Sequence, residues 1–127
     1  MMNGQARGDD LRQPTKALAL RVIRLYGSLS RSGAAGVIGR QLVRSGTSVG
    51  AQYREACRAR SRAEFISKVE SASQELDETQ YWLELLSEAS LVPQAKLAGL
   101  VEECDELMAI LTASVRTAKA AGKAAKR

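Results

Sequence analysis

Residues 37–60 read VIGRQLVRSGTSVGAQYREACRAR, and their periodicity decides the fold. At 100° per residue, Ile38, Leu42, Ser45, Val49, Tyr53 and Ala56 fall on one face, a stripe of three- and four-residue spacings with heptad character. Arg40, Arg44, Arg54 and Arg58 lie within about 40° of a common direction on the opposite face, interleaved with Thr47 and Ala51. The segment is therefore a core helix with a basic ridge on its back. Gly46 and Gly50, four residues apart and flanked by Ser45 and Ser48, remove side-chain bulk from one strip and invite close approach of a neighbouring helix.

The same period extends in both directions. Leu18, Val22, Leu25 and Leu29 form a stripe before this helix. Phe65, Val69, Ala72, Leu76, Thr79, Leu83 and Leu86 form one after it, and Leu97, Leu100, Cys104, Leu107, Leu111 and Val115 form the last. The two prolines, Pro14 and Pro93, each stand at the start of a helical pattern, where a missing N–H costs least. Ser61-Arg62-Ala63-Glu64 is a capping box that restarts the chain after the second helix. These signals predict helices over residues 14–29, 35–59, 61–90 and 93–121, the third roughly 40 Å long. Short connections make consecutive helices antiparallel neighbours, so the expected architecture is an all-α, up-down-up-down four-helix bundle over residues 14–121. Residues 1–13 are expected to be a disordered N-terminus and 122–127 a basic tail.

Composition bounds the chemistry. The chain of 127 residues contains no histidine, which removes Ser-His-Asp and Cys-His catalysis and the histidine-containing metal sets. Gly46-Thr47-Ser48-Val49-Gly50 matches G-x-S-x-G, but a nucleophile elbow needs a preceding strand and a histidine base, and neither is present. The glycines likewise lack the spacing of a P-loop or dinucleotide fingerprint. Glu55, Glu75, Asp77 and Glu78 are the one carboxylate grouping. Without a histidine partner they read as structural ion-pair partners, so no enzyme, no cofactor and no metal site is expected. Cys57 and Cys104 fit no metal or redox spacing and are expected to pack as small buried hydrophobes. No apolar run approaches the roughly 18 residues of a membrane span, and there is no signal-peptide pattern, so a cytoplasmic protein without membrane contact is expected.

Charge is segregated along the chain. Residues 1–60 carry eleven basic and three acidic side chains, residues 61–111 three and eleven, and residues 112–127 five and none, for a net charge of +5. The acidic stretch can meet the basic one within a chain or between copies, while the tail cations have no acidic neighbours in sequence. Near the end of the third helix, Tyr81, Trp82 and Leu85 turn to faces other than the core stripe and are the candidate oligomer interface, with packing of Trp82 over its own core as the alternative.

Gln41-Leu42-Val43-Arg44-Ser45-Gly46-Thr47-Ser48-Val49-Gly50-Ala51, then Tyr53-Arg54-Glu55-Ala56, Arg58-Ala59-Arg60-Ser61-Arg62-Ala63-Glu64-Phe65 and Glu78-Thr79-Gln80-Tyr81-Trp82-Leu83-Glu84-Leu85-Leu86, resemble in order and spacing the four-helix bundle proteins encoded in 23S rRNA intervening sequences. The resemblance covers residues 17–119, with Gln52 standing where the family usually has Asn. It implies a left-handed bundle assembled as a homopentameric ring, without known enzymatic activity. A related bundle, the accessory subunit of diversity-generating retroelements, binds a reverse transcriptase and nucleic acid through a basic surface, which makes either partner an expectation by analogy of fold.

Two readings of the cations follow. In the first, Arg40, Arg44, Arg54 and Arg58 together with Lys119, Lys123, Lys126 and Arg127 bind RNA or DNA phosphates without reading bases. In the second, the chain is a protein-interaction module that docks a partner such as a reverse transcriptase, and the arginines form ion pairs between subunits. Ion pairs with the third helix, through Glu70, Asp77, Glu84 and Glu88, are the structural alternative to both.

Overall fold

A computed structural model describes residues 10–125. Four helices carry the described residues, with no strand among them: α1 (Arg12–Gly27), α2 (Gly33–Cys57), α3 (Arg62–Glu88) and α4 (Gln94–Ala125). Helix α1 packs on α2 and α4, and α3 packs on the same two helices from the other side. The core so enclosed contains Leu18 and Val22 of α1, Leu42, Val49, Tyr53 and Ala56 of α2, Val69, Leu76, Leu83 and Leu86 of α3, and Leu97, Leu100, Cys104, Leu107 and Leu111 of α4. Each of these stripes follows the sequence periodicity, because burying one face of a long amphipathic helix supplies most of its stability.

Helices α1 and α2 meet at glycines. A methyl group on Gly46 would stand 2.9 Å from a Val22 methyl carbon, and one on Gly50 would stand 3.1 Å from Thr15 Oγ1. The third glycine of this strip, Gly39, lies under the ring of Tyr26. The missing side chains thus let a β-branched residue of α1 sit almost on the α2 backbone. Helix α2 is joined to α3 by a buried polar contact, in which the Ser45 and Thr79 hydroxyls hydrogen-bond at 2.9 Å. The Glu75 carbonyl lies 2.8 Å from the same Thr79 oxygen, an alternative acceptor for its one proton, so this core polar group is satisfied.

The helix ends have local causes. Ser61 Oγ accepts from Glu64 N at 3.1 Å, as the capping box requires, while Glu64 Oε1 reaches back to Arg60 N at 3.0 Å, one residue beyond the cap residue itself. At the other end of α3, Ser90 takes a left-handed φ of 60°. Ser90 N donates to Ser87 O at 3.0 Å and Leu91 N to Leu86 O at 2.9 Å, the pair of bonds that defines a Schellman motif.

Both ends of the bundle extend past the expected boundaries. Helix α1 begins at Arg12, before Pro14, and Leu11 is buried in the core, with its N–H donated to the Tyr53 hydroxyl at 3.1 Å. Asp10 fixes this start by accepting from Arg12 N at 3.0 Å and pairing with the Arg12 guanidinium. Helix α4 continues through residues expected to be tail, as far as Ala125. Residues 1–9 of the expected disordered N-terminus lie outside the described residues, as do Lys126 and Arg127.

Candidate nucleic-acid interface

The four ridge arginines of α2 do not act as one surface. Arg44 is committed to α3: it forms ion pairs with Glu75, at 3.2 Å, and with Glu78. The acids that meet the ridge are therefore Glu75 and Glu78, which the sequence read as ion-pair partners, while none of the Glu70, Asp77, Glu84 and Glu88 series pairs with a ridge arginine among the described residues. Glu70 instead takes Lys119 of α4 at 3.3 Å, and Glu55 takes Lys68 at 2.7 Å. Arg40 is exposed but sits fourteen residues before Arg54 on the same helix, about 21 Å along its axis.

The other cations converge at one end of the molecule. Helix α2 carries Arg54 in its last turn there, the connection to α3 adds Arg58 and Arg60, and α3 opens with Arg62. Helix α4 brings its last turns to the same place, since a methyl on Gly122 would stand 3.2 Å from Arg62 Cδ. That contact sets Lys123, exposed in the final turn, beside the 58–62 segment. Among the described residues, the acids at this end are occupied, Glu55 by Lys68. Asp10 is held by Arg12, whose hydrogen bonds lower its carboxyl to about 2, and Glu64 is turned into the α3 cap. Among the described residues, Arg58, Arg60, Arg62 and Lys123 make no ion pair, and all four are exposed. Partial negative charge at the C-termini of α2 and α4 favours cations here, a contribution of about 0.3–1 kcal/mol each at exposed sites.

Sequence reasoning placed Arg58 and Lys123 in the site but missed Arg60 and Arg62, because a helical wheel stops where the helix stops. The run Arg58-Ala59-Arg60-Ser61-Arg62 was the available signal. It also missed a second basic groove of about 440 Å³ between α1 and α4, where Arg21, Arg24 and Lys96 line the walls over Leu25 and Leu100. Arg21 is paired there with Glu103.

The remaining candidates are distributed. Trp82 is half-buried against the core of its own chain and donates Nε1–H to Glu78 Oε2 at 3.1 Å, so Glu78 joins it to Arg44. Tyr81 is 52% exposed, with its ring centroid 5.1 Å from that of Trp82, and Leu85 is half-buried. Of the two cysteines, only Cys104 packs as expected; burial, reinforced by Glu103 and Asp105, pushes its thiol up to about 12. Cys57 is exposed, because it follows core-facing Ala56 by one residue and is rotated about 100° from it. No cluster of three potential metal ligands occurs among the described residues, and none of the described helices is long and apolar enough to cross a membrane.

An all-α fold of four helices around a glycine-lined α1–α2 contact, with cations gathered at one end, defines the class. The chain belongs to the 23S rRNA-intervening sequence protein family, which it matches over residues 10–113. It is also similar to a crystal structure from Bacteroides thetaiotaomicron, that of a protein with unknown function from the S23 ribosomal protein family. The two are 34% identical with a TM-score of 0.78, over 84% of this chain and 98% of that one. A comparison with curated proteins finds no match.

Proposed function

We propose that this protein is a non-catalytic, self-associating helical scaffold that binds RNA or DNA through phosphate contacts. The observation that carries the reading is the cationic end, where Arg58, Arg60, Arg62 and Lys123 from three elements stand together without acidic partners among the described residues. Four exposed cations on a rigid frame suit a phosphate backbone, and no element positioned to enter a groove and read bases accompanies them, so binding is sequence-tolerant. The helices run up-down-up-down, a reading supported by the paired positions Thr15–Gly50 and Tyr26–Gly39 between α1 and α2, and Glu55–Lys68 and Arg44–Glu78 between α2 and α3. Assembly as a ring of five, the arrangement the family resemblance implies, would repeat the cationic end around the ring.

The test is affinity for a labelled single strand and a duplex across a salt series. Binding is expected to weaken steeply with salt, with a log-log slope of roughly −0.9 per duplex phosphate neutralised. The triple variant Arg58→Gln/Arg60→Gln/Arg62→Gln should flatten that slope and lose most of the affinity, whereas Arg44→Gln should leave both nearly unchanged. Affinity insensitive to salt, or untouched by the triple variant, overturns the reading. Absence of binding by the folded protein assigns the cations to a protein partner instead.

A further inference from the structure

The charge segregation noted in the sequence takes a definite shape on the surface. A groove of about 480 Å³ lies between α3 and α4, with Leu83, Leu97 and Val101 in its walls. Around them stand four carboxylates: Glu84 and Glu88 from α3, Glu102 and Asp105 from α4. Asp105 accepts a hydrogen bond from Gln80 at 2.6 Å, while Glu84, Glu88 and Glu102 have no ion pair among the described residues. The groove is thus apolar and negatively charged, with Val101 37% exposed and Leu91, in the connection between the same two helices, 39% exposed.

Helix α1 has the converse character. Its sixteen residues include four cations and no acid. On its outward face Leu20 is 43% and Ile23 46% exposed, flanked by exposed Lys16 and Arg24. Positions 16, 20, 23 and 24 form the i, i+4, i+7, i+8 pattern of a helix that lays an apolar, charged face into a groove. Charged partners of this kind fix register and orientation, while the apolar contacts carry affinity.

We infer that the acidic α3–α4 groove of one copy seats the basic outer face of α1 of another copy. The inference deepens the self-associating scaffold proposed above and rests on it, adding the location and polarity of the contact. Because groove and helix are different surfaces of the molecule, the contact is head-to-tail, and its repetition closes a ring where the rotation between copies permits and otherwise runs on as a filament. The occupant is this chain itself because α1 supplies both halves of the complement, two exposed apolar anchors and cations unopposed on their own helix.

Two charge-reversed variants test it without nucleic acid: Lys16→Glu/Arg24→Glu on α1, and Glu84→Lys/Glu88→Lys/Glu102→Lys on the groove. All five positions are exposed, so the helical far-UV signal should be retained. In native mass spectrometry or sedimentation velocity the wild type should appear as a multiple of the 13.7 kDa chain, and each variant alone as a single chain. Mixed in equal amounts, the two should associate into species in which they alternate, a 1:1 pair or its even multiples, since each then offers the other a complementary face in both directions and a ring of five cannot alternate. A monomeric wild type, an assembly that survives either reversal, or variants that stay apart on mixing would overturn the inference. Arg58, Arg60 and Arg62 are untouched, so failure here leaves the phosphate-binding result standing, and the reverse also holds.

Discussion

A methyl group at Gly46 would lie 2.9, 3.0 and 3.2 Å from three carbons of Val22, a β-branched side chain with little freedom to turn aside. Replacing glycine by alanine in a helix gains about 1 kcal/mol of propensity, and overpacking costs about 1–3 kcal/mol. The second term is the larger here, so Gly46→Ala should lower the urea-unfolding free energy by up to about 2 kcal/mol. Gly99→Ala should do the opposite, raising it by up to about 1 kcal/mol. Its nearest neighbour is the far end of the long Arg21 side chain, at 3.2 Å, which can shift while keeping its pair with Glu103. The cysteines give a second residue-scale test. At pH 8 a thiol reagent should titrate one thiol per native chain, Cys57, and both after denaturation. The Cys104 thiol is shifted from its ordinary value near 9 up to about 12, so the unfolded chain ionises first. Its contribution is fully present below pH 9 and is lost as the pH rises toward 12, and burial of Tyr53, which raises its hydroxyl, acts in the same sense. The unfolding midpoint should therefore fall across that alkaline range.

At the scale of the element, the end of α3 carries an avoidable strain. Ser90 holds φ at 60°, in the left-handed region that costs a residue with a Cβ roughly 1–2 kcal/mol. The Schellman bonds to Ser87 and Leu86 keep it there. Glycine at this position relieves the strain but gives the unfolded chain more freedom. Ser90→Gly should accordingly stabilise the protein by about 0.5–1 kcal/mol, seen as a raised unfolding midpoint with an unchanged denaturant slope. A loss of stability would mean that the Ser90 side chain contributes more than the strain costs. The start of α3 was legible in advance from Ser61 and Glu64. The left-handed exit was not, because serine carries no signal for it and the bonds that impose it come from the preceding turn.

At the scale of the whole molecule, the cations left at one end repel each other, and a bound polyanion should relieve them. A ligand that binds only the folded state stabilises it by about 2.7 kcal/mol at a hundred times its dissociation constant. A short oligonucleotide should thus raise the Tm of the wild type and leave that of Arg58→Gln/Arg60→Gln/Arg62→Gln nearly unmoved. Equal shifts in both proteins would place the polyanion elsewhere, the Arg21, Arg24 and Lys96 groove being the next surface to examine. Pairing decides which basic residues remain available. Arg44 is spent on Glu75 and Glu78, and Lys119 on Glu70, although in the sequence they are indistinguishable from Arg58 and Lys123.

The sequence by itself determined the four helices, their buried stripes and a glycine strip on the second that invites close approach, because periodicity and side-chain size are properties of the local chain; that α1 is the helix seated on it was decided by the tertiary structure. Leu11 escaped that reading although it is in phase with Thr15, Leu18 and Val22, because the helical pattern was started at Pro14; its place is fixed by the hydroxyl of Tyr53, forty-two residues away. Only the tertiary structure decided which charges are neutralised and which are gathered. The partners of Arg44 are thirty-one and thirty-four residues distant, and the neighbour that brings Lys123 to Arg62 is Gly122, at the far end of the last helix. An ion pair depends on distance in space, which helical phase within a single element does not supply.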